Sequence, residues 1–198
     1  MKYLKFFTLL IVFVIALMVI YVIHGRFFKV DVVFYSAIGD GVLAALVTLI
    51  LASTVRWFGI FSIFEKLQLF VICLLLGYAF AISVPTVIDR SLSMYILEKL
   101  QQRHGGIQLA AFDVVFKEEY MKEHRLVDIR LTEQQQSGTI VIENGCVKLT
   151  EWGYVVATTT TWIRQNLLPK HRLIGDGYSS DLTSPMRNSA ERTDYLCR

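Results

Sequence analysis

Residues 6–23 read FFTLLIVFVIALMVIYVI, a run of 18 residues without a charged side chain. A helix rises about 1.5 Å per residue, so this run is just long enough to cross a hydrocarbon core of roughly 30 Å. The stretch therefore predicts a transmembrane helix. A secretory signal peptide is the alternative, but its apolar core usually spans only about 7–15 residues, and residues 24–28 offer no small-residue cleavage site.

Two further apolar stretches follow along the chain. Residues 32–55 are interrupted only by Gly39-Asp40-Gly41, and residues 67–88 carry no charge at all. We therefore predict three spans, at about residues 6–23, 32–55 and 67–88. The intervening residues 56–66 mix charged, aromatic and aliphatic side chains, which is typical of an amphipathic segment lying at the membrane interface.

Asp40 is the ionisable residue inside a predicted span. An ionised carboxylate costs a few kcal/mol at the bilayer centre, so such residues often mark an ion path or a contact with a partner helix. Asp40 lies about nine residues into its span, where a position near the headgroups is the simplest interpretation. Contact with another helix is the next alternative and proton transport the last. Gly39 and Gly41 are two residues apart and do not form the four-residue spacing of a close helix contact.

The composition separates a membrane part from an extramembrane part. The chain of 198 residues is 54% apolar and 19% charged, and only nine charged residues precede Pro85. We therefore predict a membrane region at residues 1–88, a small folded domain at residues 91–172 and a disordered polar tail at residues 173–198. No run of five or more Lys or Arg occurs, so the charge pattern does not indicate a strong nonspecific nucleic-acid binder.

The extramembrane part shows a regular succession of helix and strand signals. Apolar residues at helical spacing predict helices at residues 91–102, 109–120, 126–137 and 151–168. Between the third and fourth helices, Asn144-Gly145 joins two β-rich runs, which is the strongest short hairpin signal. Thr150 is in place to cap the last helix. We expect Trp152 and Trp162 of that helix to close the core with other apolar side chains: Phe112, Phe116 and Val156.

Residues 137–153, SGTIVIENGCVKLTEWG, resemble the wing of MarR- and PadR-like winged-helix domains. The match includes the Leu-Thr-x-x-Gly element at Leu149, Thr150 and Gly153, and the resemblance extends over residues 91–168. It implies a mostly α-helical protein in which three transmembrane helices precede a winged helix with one β-hairpin. It also implies that the third helix inserts into a DNA major groove while the wing lies on the phosphates.

The residues that would make such contacts are unusual for a DNA-binding surface. Residues 91–172 hold ten Lys or Arg and nine Asp or Glu, and the hairpin carries Glu143 at its tip. Gln134 stands where these helices usually bring a leucine inward. Because DNA affinity depends largely on neutralising phosphates, we expect protein contacts instead. The candidate contact residues are Arg125, Asp128, Arg130, Glu133 and Gln134, with Asn144 and Gly145 as the hairpin turn.

The remaining chemistry-bearing residues form no recognisable pattern. The three cysteines, Cys73, Cys146 and Cys197, are scattered, and we expect no disulfide; Cys146 fits a small apolar strand position. The four histidines are also separated. No phosphate loop, nucleophile elbow or dinucleotide fingerprint occurs. We therefore expect neither enzymatic activity nor a metal or cofactor.

The distribution of basic residues favours one side of the membrane for the domain by a small difference. With the amino terminus outside, five basic residues near the spans lie inside and four lie outside. This count and the domain type predict a multi-pass protein of a bacterial inner membrane with residues 91–198 in the cytoplasm. The expected partners are the lipid bilayer and either a membrane protein or further copies of this chain.

Three functions remain open from the sequence. The first is a membrane-anchored binding or regulatory subunit of an inner-membrane assembly, which uses its winged helix for protein contacts. The second is a membrane-tethered winged-helix transcription regulator. The third is a small oligomeric transporter built around Asp40, which the sequence favours least because no second intramembrane polar group is evident.

Overall fold

The structure is a computed structural model that describes residues 2–187 and Cys197. The chain forms two compact units, residues 1–120 and residues 121–198. The first unit contains three long apolar helices followed by shorter helices. Within the described residues, the second contains three α-helices, one of them only three residues long, and two antiparallel hairpins.

Three long helices form the amino-terminal part of the first unit. They are α1 (Lys2–Phe27), α2 (Val33–Thr54) and α3 (Ile63–Ala81). Together with the extension of α3 to Arg90, they are the three helices of the described chain that are long and apolar enough to cross a membrane. The prediction of three spans is confirmed at this level, and α1 continues past the end of its apolar run.

Pro85 changes the helical winding of the third candidate span. The span passes through a π-helical turn, Ile82–Thr86, and ends with the short helix α4 (Val87–Arg90). Proline has no backbone N–H and its ring crowds the preceding turn, so an ordinary helical hydrogen bond is lost there. The Thr86 hydroxyl donates to the Ala81 carbonyl over 2.7 Å and satisfies that acceptor.

Small residues allow α2 and α3 to approach closely. A Cβ built on Gly41 would lie 3.1 Å from the Cα of Gly77, and one built on Gly77 would lie 3.0 Å from the Cα of Gly41. Close contact of this kind is a common basis of helix packing in membranes. Gly39 and Gly41 do not have the four-residue spacing of a close helix contact, but buried residues of both helices do. They are Ala37, Gly41 and Ala45 on α2, and Leu69, Cys73, Gly77 and Ala81 on α3.

The connection between α2 and α3 lies outside the spans. It contains a 3-10 turn, Arg56–Phe58, and ends in a capping box in which Ser62 and Glu65 each bind the other's backbone N–H. Lys2 of α1 pairs with the same Glu65 carboxylate over 2.6 Å. The capping box fixes the start of α3 because it satisfies backbone donors that have no helical partner.

The rest of the first unit is helical but irregular. Ser91 has an extended backbone conformation that ends α4, and its side chain caps α5 (Leu92–Arg103). After a glycine-containing turn the chain enters a segment of mixed winding, and the unit boundary falls at Tyr120. The parts of this segment in the first unit are a 3-10 turn (Leu109–Ala111), α6 (Phe112–Val114) and a π-helical turn (Val115–Tyr120). The second unit begins with α7 (Met121–Glu123).

The second unit follows the predicted order of elements. After α8 (Leu126–Gln136), strand β1 (Ile140–Glu143) pairs antiparallel with β2 (Cys146–Leu149), and α9 (Glu151–Asn166) follows. The hairpin and the helices around it were therefore predicted with nearly correct bounds. The identity of a winged helix stays a prediction, and its elements α5 to α9 divide between the two units.

The prediction of a disordered tail from residue 173 is wrong where the structure describes this region. Strand β3 (Arg172–Ile174) pairs with β4 (Gly177–Ser179), and a 3-10 turn (Asp181–Thr183) follows. Gly175 has φ +59° at the turn, a conformation that glycine adopts at little cost. The remainder of the predicted tail, residues 188–196 and 198, lies outside the described residues.

The predicted core role of the two tryptophans of α9 is also wrong. Trp152 is 58% exposed and Trp162 is 56% exposed, whereas Gly153 is the buried residue of this helix. The helical spacing of the apolar residues predicted that they share one side of α9. This spacing does not show whether that side packs against other parts of the protein or is exposed.

Candidate functional site

The residues expected to contact a partner lie on α8, and its two arginines are both engaged locally. Arg125 stands at the helix start with φ +44°, and its Nε and Nη2 donate to the same Asp128 oxygen over 3.0 and 2.9 Å. Arg130 Nη1 donates to Glu133 over 2.6 Å. Each guanidinium therefore has a carboxylate at hydrogen-bond distance, which offsets the positive charge that a phosphate would need.

Gln134 has a structural role in the described unit. Its side-chain oxygen accepts from the Thr139 hydroxyl over 2.5 Å, and its backbone oxygen accepts from the Thr139 backbone N–H over 3.0 Å. Thr139 is only 7% exposed, so these bonds satisfy polar groups that water reaches poorly. This explains why glutamine occupies a position where leucine was expected: it binds the chain as it turns from α8 into β1.

The hairpin turn has the expected geometry. Asn144 has φ +50° and Gly145 has φ +76°, the two positive values that a type I′ turn requires. Next to the turn, Lys148 pairs with Glu143 over 3.6 Å, so the hairpin tip is not a cationic surface. Its role in the structure is to join β1 to β2.

The Leu-Thr-x-x-Gly element fastens the hairpin to α9. The Thr150 hydroxyl donates to the Gly138 carbonyl over 2.7 Å and accepts from the Gly153 backbone N–H over 3.0 Å. At Gly153 the helix backbone lies against Thr139, so closely that a Cβ would overlap the Thr139 backbone oxygen. Threonine and glycine are therefore needed here for packing, independent of any ligand.

One exposed surface of the second unit is apolar and belongs to α9. Trp152, Val155 and Trp162 are each more than half exposed and lie three and seven residues apart, so they share one side of the helix. Ile163 extends this side and is 39% exposed. We call these four residues the α9 apolar surface. Contiguous exposed apolar side chains are typical of an interaction site.

A disulfide joins Cys146 of β2 to Cys197, with 5.9 Å between their Cα atoms. That separation is within the usual range for a disulfide. The expectation that the cysteines form no disulfide is therefore wrong, because a separation of 51 residues in sequence gives no local signal of their proximity. Cys73 in α3 is buried and free.

In the first unit, Asp40 has a partner that sequence analysis missed. His24 Nδ1 lies 2.6 Å from Asp40 Oδ1, and the Asp40 residue is only 5% exposed. His24 follows the last residue of the first apolar run, but α1 continues to Phe27 and carries it within reach of α2. A second polar side chain therefore lies beside Asp40 within the candidate spans, contrary to the reason given for disfavouring a function at Asp40.

A second ionic cluster lies beyond the spans in the first unit. Glu119 binds Lys99 over 2.7 Å and Arg103 over 3.0 Å, and Lys99 is only 5% exposed. The hydrogen bond from Lys99, followed by that from Arg103, lowers the pKa of the Glu119 carboxyl below its usual value. The cluster ties α5 to the irregular helical segment after it.

The described residues contain no group of three or more His, Cys, Asp or Glu side chains arranged to hold a metal ion. Comparison of the chain with protein-family models, curated proteins and solved structures finds no match. The class that the structure itself defines is a mostly helical chain with three helices of membrane-spanning length and composition, followed by a hairpin-containing unit.

Proposed function

We propose that this chain is a membrane-anchored binding or regulatory subunit whose second unit contacts a membrane-protein partner through the α9 apolar surface. The observation that carries the proposal is the exposure of Trp152 and Trp162 on one side of α9. Tryptophan is enriched among the residues that dominate protein interfaces, because it buries a large area with few rotatable bonds.

Covering this surface would contribute several kcal/mol to binding, which must offset the cost of association. A half-exposed tryptophan presents on the order of 100 Å² of apolar area, and burial contributes about 25 cal/mol per Å². Each of the two tryptophans would then contribute about 2.5 kcal/mol when a partner covers it. Two such side chains on one helix would supply the anchor of the interface.

The alternative of a tethered transcription regulator has less support. Arg125 and Arg130 are each paired with a carboxylate on their own helix. A phosphate that bound either arginine would have to displace that carboxylate or approach its negative charge. DNA would also meet repulsion from an anionic bilayer close to the last span.

We further propose that residues 91–198 lie on the oxidising face of a bacterial inner membrane, which revises our cytoplasmic expectation. Disulfides persist in oxidising compartments and are rare in the cytosol. The Cys146–Cys197 disulfide supports the outer face, whereas the opposing charge count differed by a single basic residue. A position outside the cytoplasm also favours a protein partner over DNA.

Site-specific photo-crosslinking tests the interaction surface. Benzoylphenylalanine placed at Trp152 or at Trp162 in the full chain should crosslink the same membrane protein in intact cells. The control position is Ser180, which is exposed and lies outside α9, and it should give no such product. Equal crosslinking at Ser180, or none at either tryptophan, would contradict the proposal.

A DNA-binding measurement separates the two functions. The full chain in detergent micelles should bind duplex DNA at most weakly and without sequence preference, and binding should fade between roughly 50 and 200 mM salt. The double variant Arg125→Ala and Arg130→Ala should not change this behaviour. Retention of a specific sequence at physiological salt, with both arginines required, would establish the regulator instead.

Thiol chemistry in intact cells tests the side of the membrane. Cys146 and Cys197 should react with a maleimide only after reduction. In a background where both are serine, the exposed Ser180→Cys should be labelled by a membrane-impermeant maleimide. Unlabelled Ser180→Cys together with free native thiols would put the domain back in the cytoplasm.

A further inference from the structure

The His24–Asp40 pair lies at the polar end of a cavity within the first unit. The cavity has a volume of about 500 Å³, and its polar lining consists of His24, Ser36 and Asp40. Its other lining residues are mostly apolar: Ile20, Ile23, Phe28, Gly39 and Leu43. The volume falls in the range of small-molecule sites, which are commonly apolar with a few convergent polar groups.

A second, smaller cavity reaches the same pair. It has a volume of about 240 Å³ and shares His24, Ser36 and Asp40 with the first. The rest of its lining comes from the end of α1 and the turn into α2, including Gly25 and Val30. The polar groups can therefore be approached from the turn between the helices as well as from the apolar cavity.

The polar lining offers oxygen atoms that can accept hydrogen bonds. His24 Nδ1 lies 2.6 Å from one Asp40 oxygen, and the second Asp40 oxygen and the Ser36 hydroxyl can accept from a ligand. No Lys or Arg is among the described lining residues. A carboxylate that is 5% exposed beside an apolar cavity favours a cation with several N–H donors.

We propose that this cavity binds a cationic amphiphile, namely an alkylammonium whose head contacts Asp40, His24 and Ser36. The ammonium supplies N–H donors to the Asp40 and Ser36 oxygens, and the Phe28 ring lies beside His24 with 5.8 Å between ring centroids. The alkyl chain lies along the apolar side chains of α1 and α2. This site is independent of the partner surface on α9.

Binding of dodecylamine to the full chain in phosphatidylcholine nanodiscs tests the proposal. Calorimetric titration should show one saturable site above the partition into empty nanodiscs. Dodecanol and dodecanoate, which share the chain but lack the cation, should bind at least tenfold more weakly. Equal or tighter binding of dodecanoate would overturn the assignment of a cationic ligand.

Two variants test whether dodecylamine binds in this cavity, and their thermal stability shows whether they are folded. Asp40→Asn removes the charge and should weaken dodecylamine binding at least tenfold, whereas Asp31→Asn in the exposed turn should leave it unchanged. Gly39→Leu keeps every polar group but fills the cavity, since a Cβ at Gly39 meets no atom within 4 Å. Gly39→Leu should therefore abolish binding without loss of thermal stability. An unchanged affinity for dodecylamine in both Asp40→Asn and Gly39→Leu would refute the site.

The source of the ligand can be separated from its chemistry. A membrane lipid with a primary ammonium headgroup would already occupy the site in nanodiscs that contain phosphatidylethanolamine. Dodecylamine should then bind more weakly in these nanodiscs than in phosphatidylcholine alone, and Asp40→Asn should remove the difference. The same affinity in both lipids would assign the site to a soluble amphiphile, with the cationic class unchanged.

Discussion

Replacement of Gly153 by alanine is expected to destabilise the hairpin of the second unit by about 2–3 kcal/mol. The added Cβ would overlap the Thr139 backbone oxygen and would lie 2.9 Å from the Thr139 carbonyl carbon and 3.1 Å from Leu149 Cδ2. Carbon atoms in contact are normally about 3.5–4.0 Å apart, so α9 or β1 must move by more than about half an ångström.

Three contributions make up this magnitude. Overpacking against backbone atoms costs about 1–3 kcal/mol, and the upper end applies because a backbone oxygen cannot rotate away. The same oxygen accepts from Thr150 N–H over 3.1 Å, and loss of that bond costs about 1 kcal/mol. Alanine returns up to about 1 kcal/mol because it is the better helix former.

Hydrogen exchange in the full chain measures the effect locally. Amides in residues 138–150 should exchange about 30–100-fold faster in Gly153→Ala, because about 1.4 kcal/mol corresponds to a factor of ten in the opening equilibrium. Gly177→Ala is the matched control: a Cβ there meets no atom within 4 Å. Wild-type protection in Gly153→Ala, or an equal loss in Gly177→Ala, would refute the argument.

Two further predictions concern the first unit. Gly77→Leu should force α2 and α3 apart and lower the free energy of unfolding in mild detergent by about 1–3 kcal/mol, whereas Gly25→Leu, at a site with no atom within 4 Å of its Cβ, should behave like wild type. The pKa of Glu119 is lowered in the folded protein, so its ion pair with Lys99 stabilises the fold at pH values above the ordinary glutamate pKa. This stabilisation is lost as the pH falls through the lowered pKa of the folded state. Glu119→Gln should therefore reduce the acid sensitivity of thermal unfolding, while Asp113→Asn, whose ion pair is exposed, should not.

Local sequence signals predicted the elements that depend on local physics. Long apolar runs predicted the three candidate spans because a bilayer requires a minimum helix length. Asn144-Gly145 predicted the hairpin because few residue pairs adopt two positive φ values at low cost. Thr150 was correctly predicted as a helix cap, since its hydroxyl satisfies a backbone donor at the first turn. In each case the cause lies within a few residues of its effect.

Two local sequence signals were present but did not enter the predictions. Gly175-Asp176 is a turn pair between Ile174 and Gly177, yet the polar composition of the surrounding residues suggested disorder. The small-residue spacing of α2 includes alanines as well as Gly41, and its effect depends on Gly77 of the facing helix. Composition averages over a segment, whereas a turn or a close helix contact depends on single positions.

The His24–Asp40 pair shows why the candidate ligand site could not be read from the sequence. The two residues are 16 positions apart on different helices, and no periodicity within either helix connects them. Their proximity depends on how far α1 continues beyond its apolar run and on how the turn of residues 28–32 directs α2. Once both are fixed, a carboxylate that is costly alone in a membrane gains a hydrogen-bonding partner. The pair also lines the adjacent cavity together with Ser36, so three polar residues converge there.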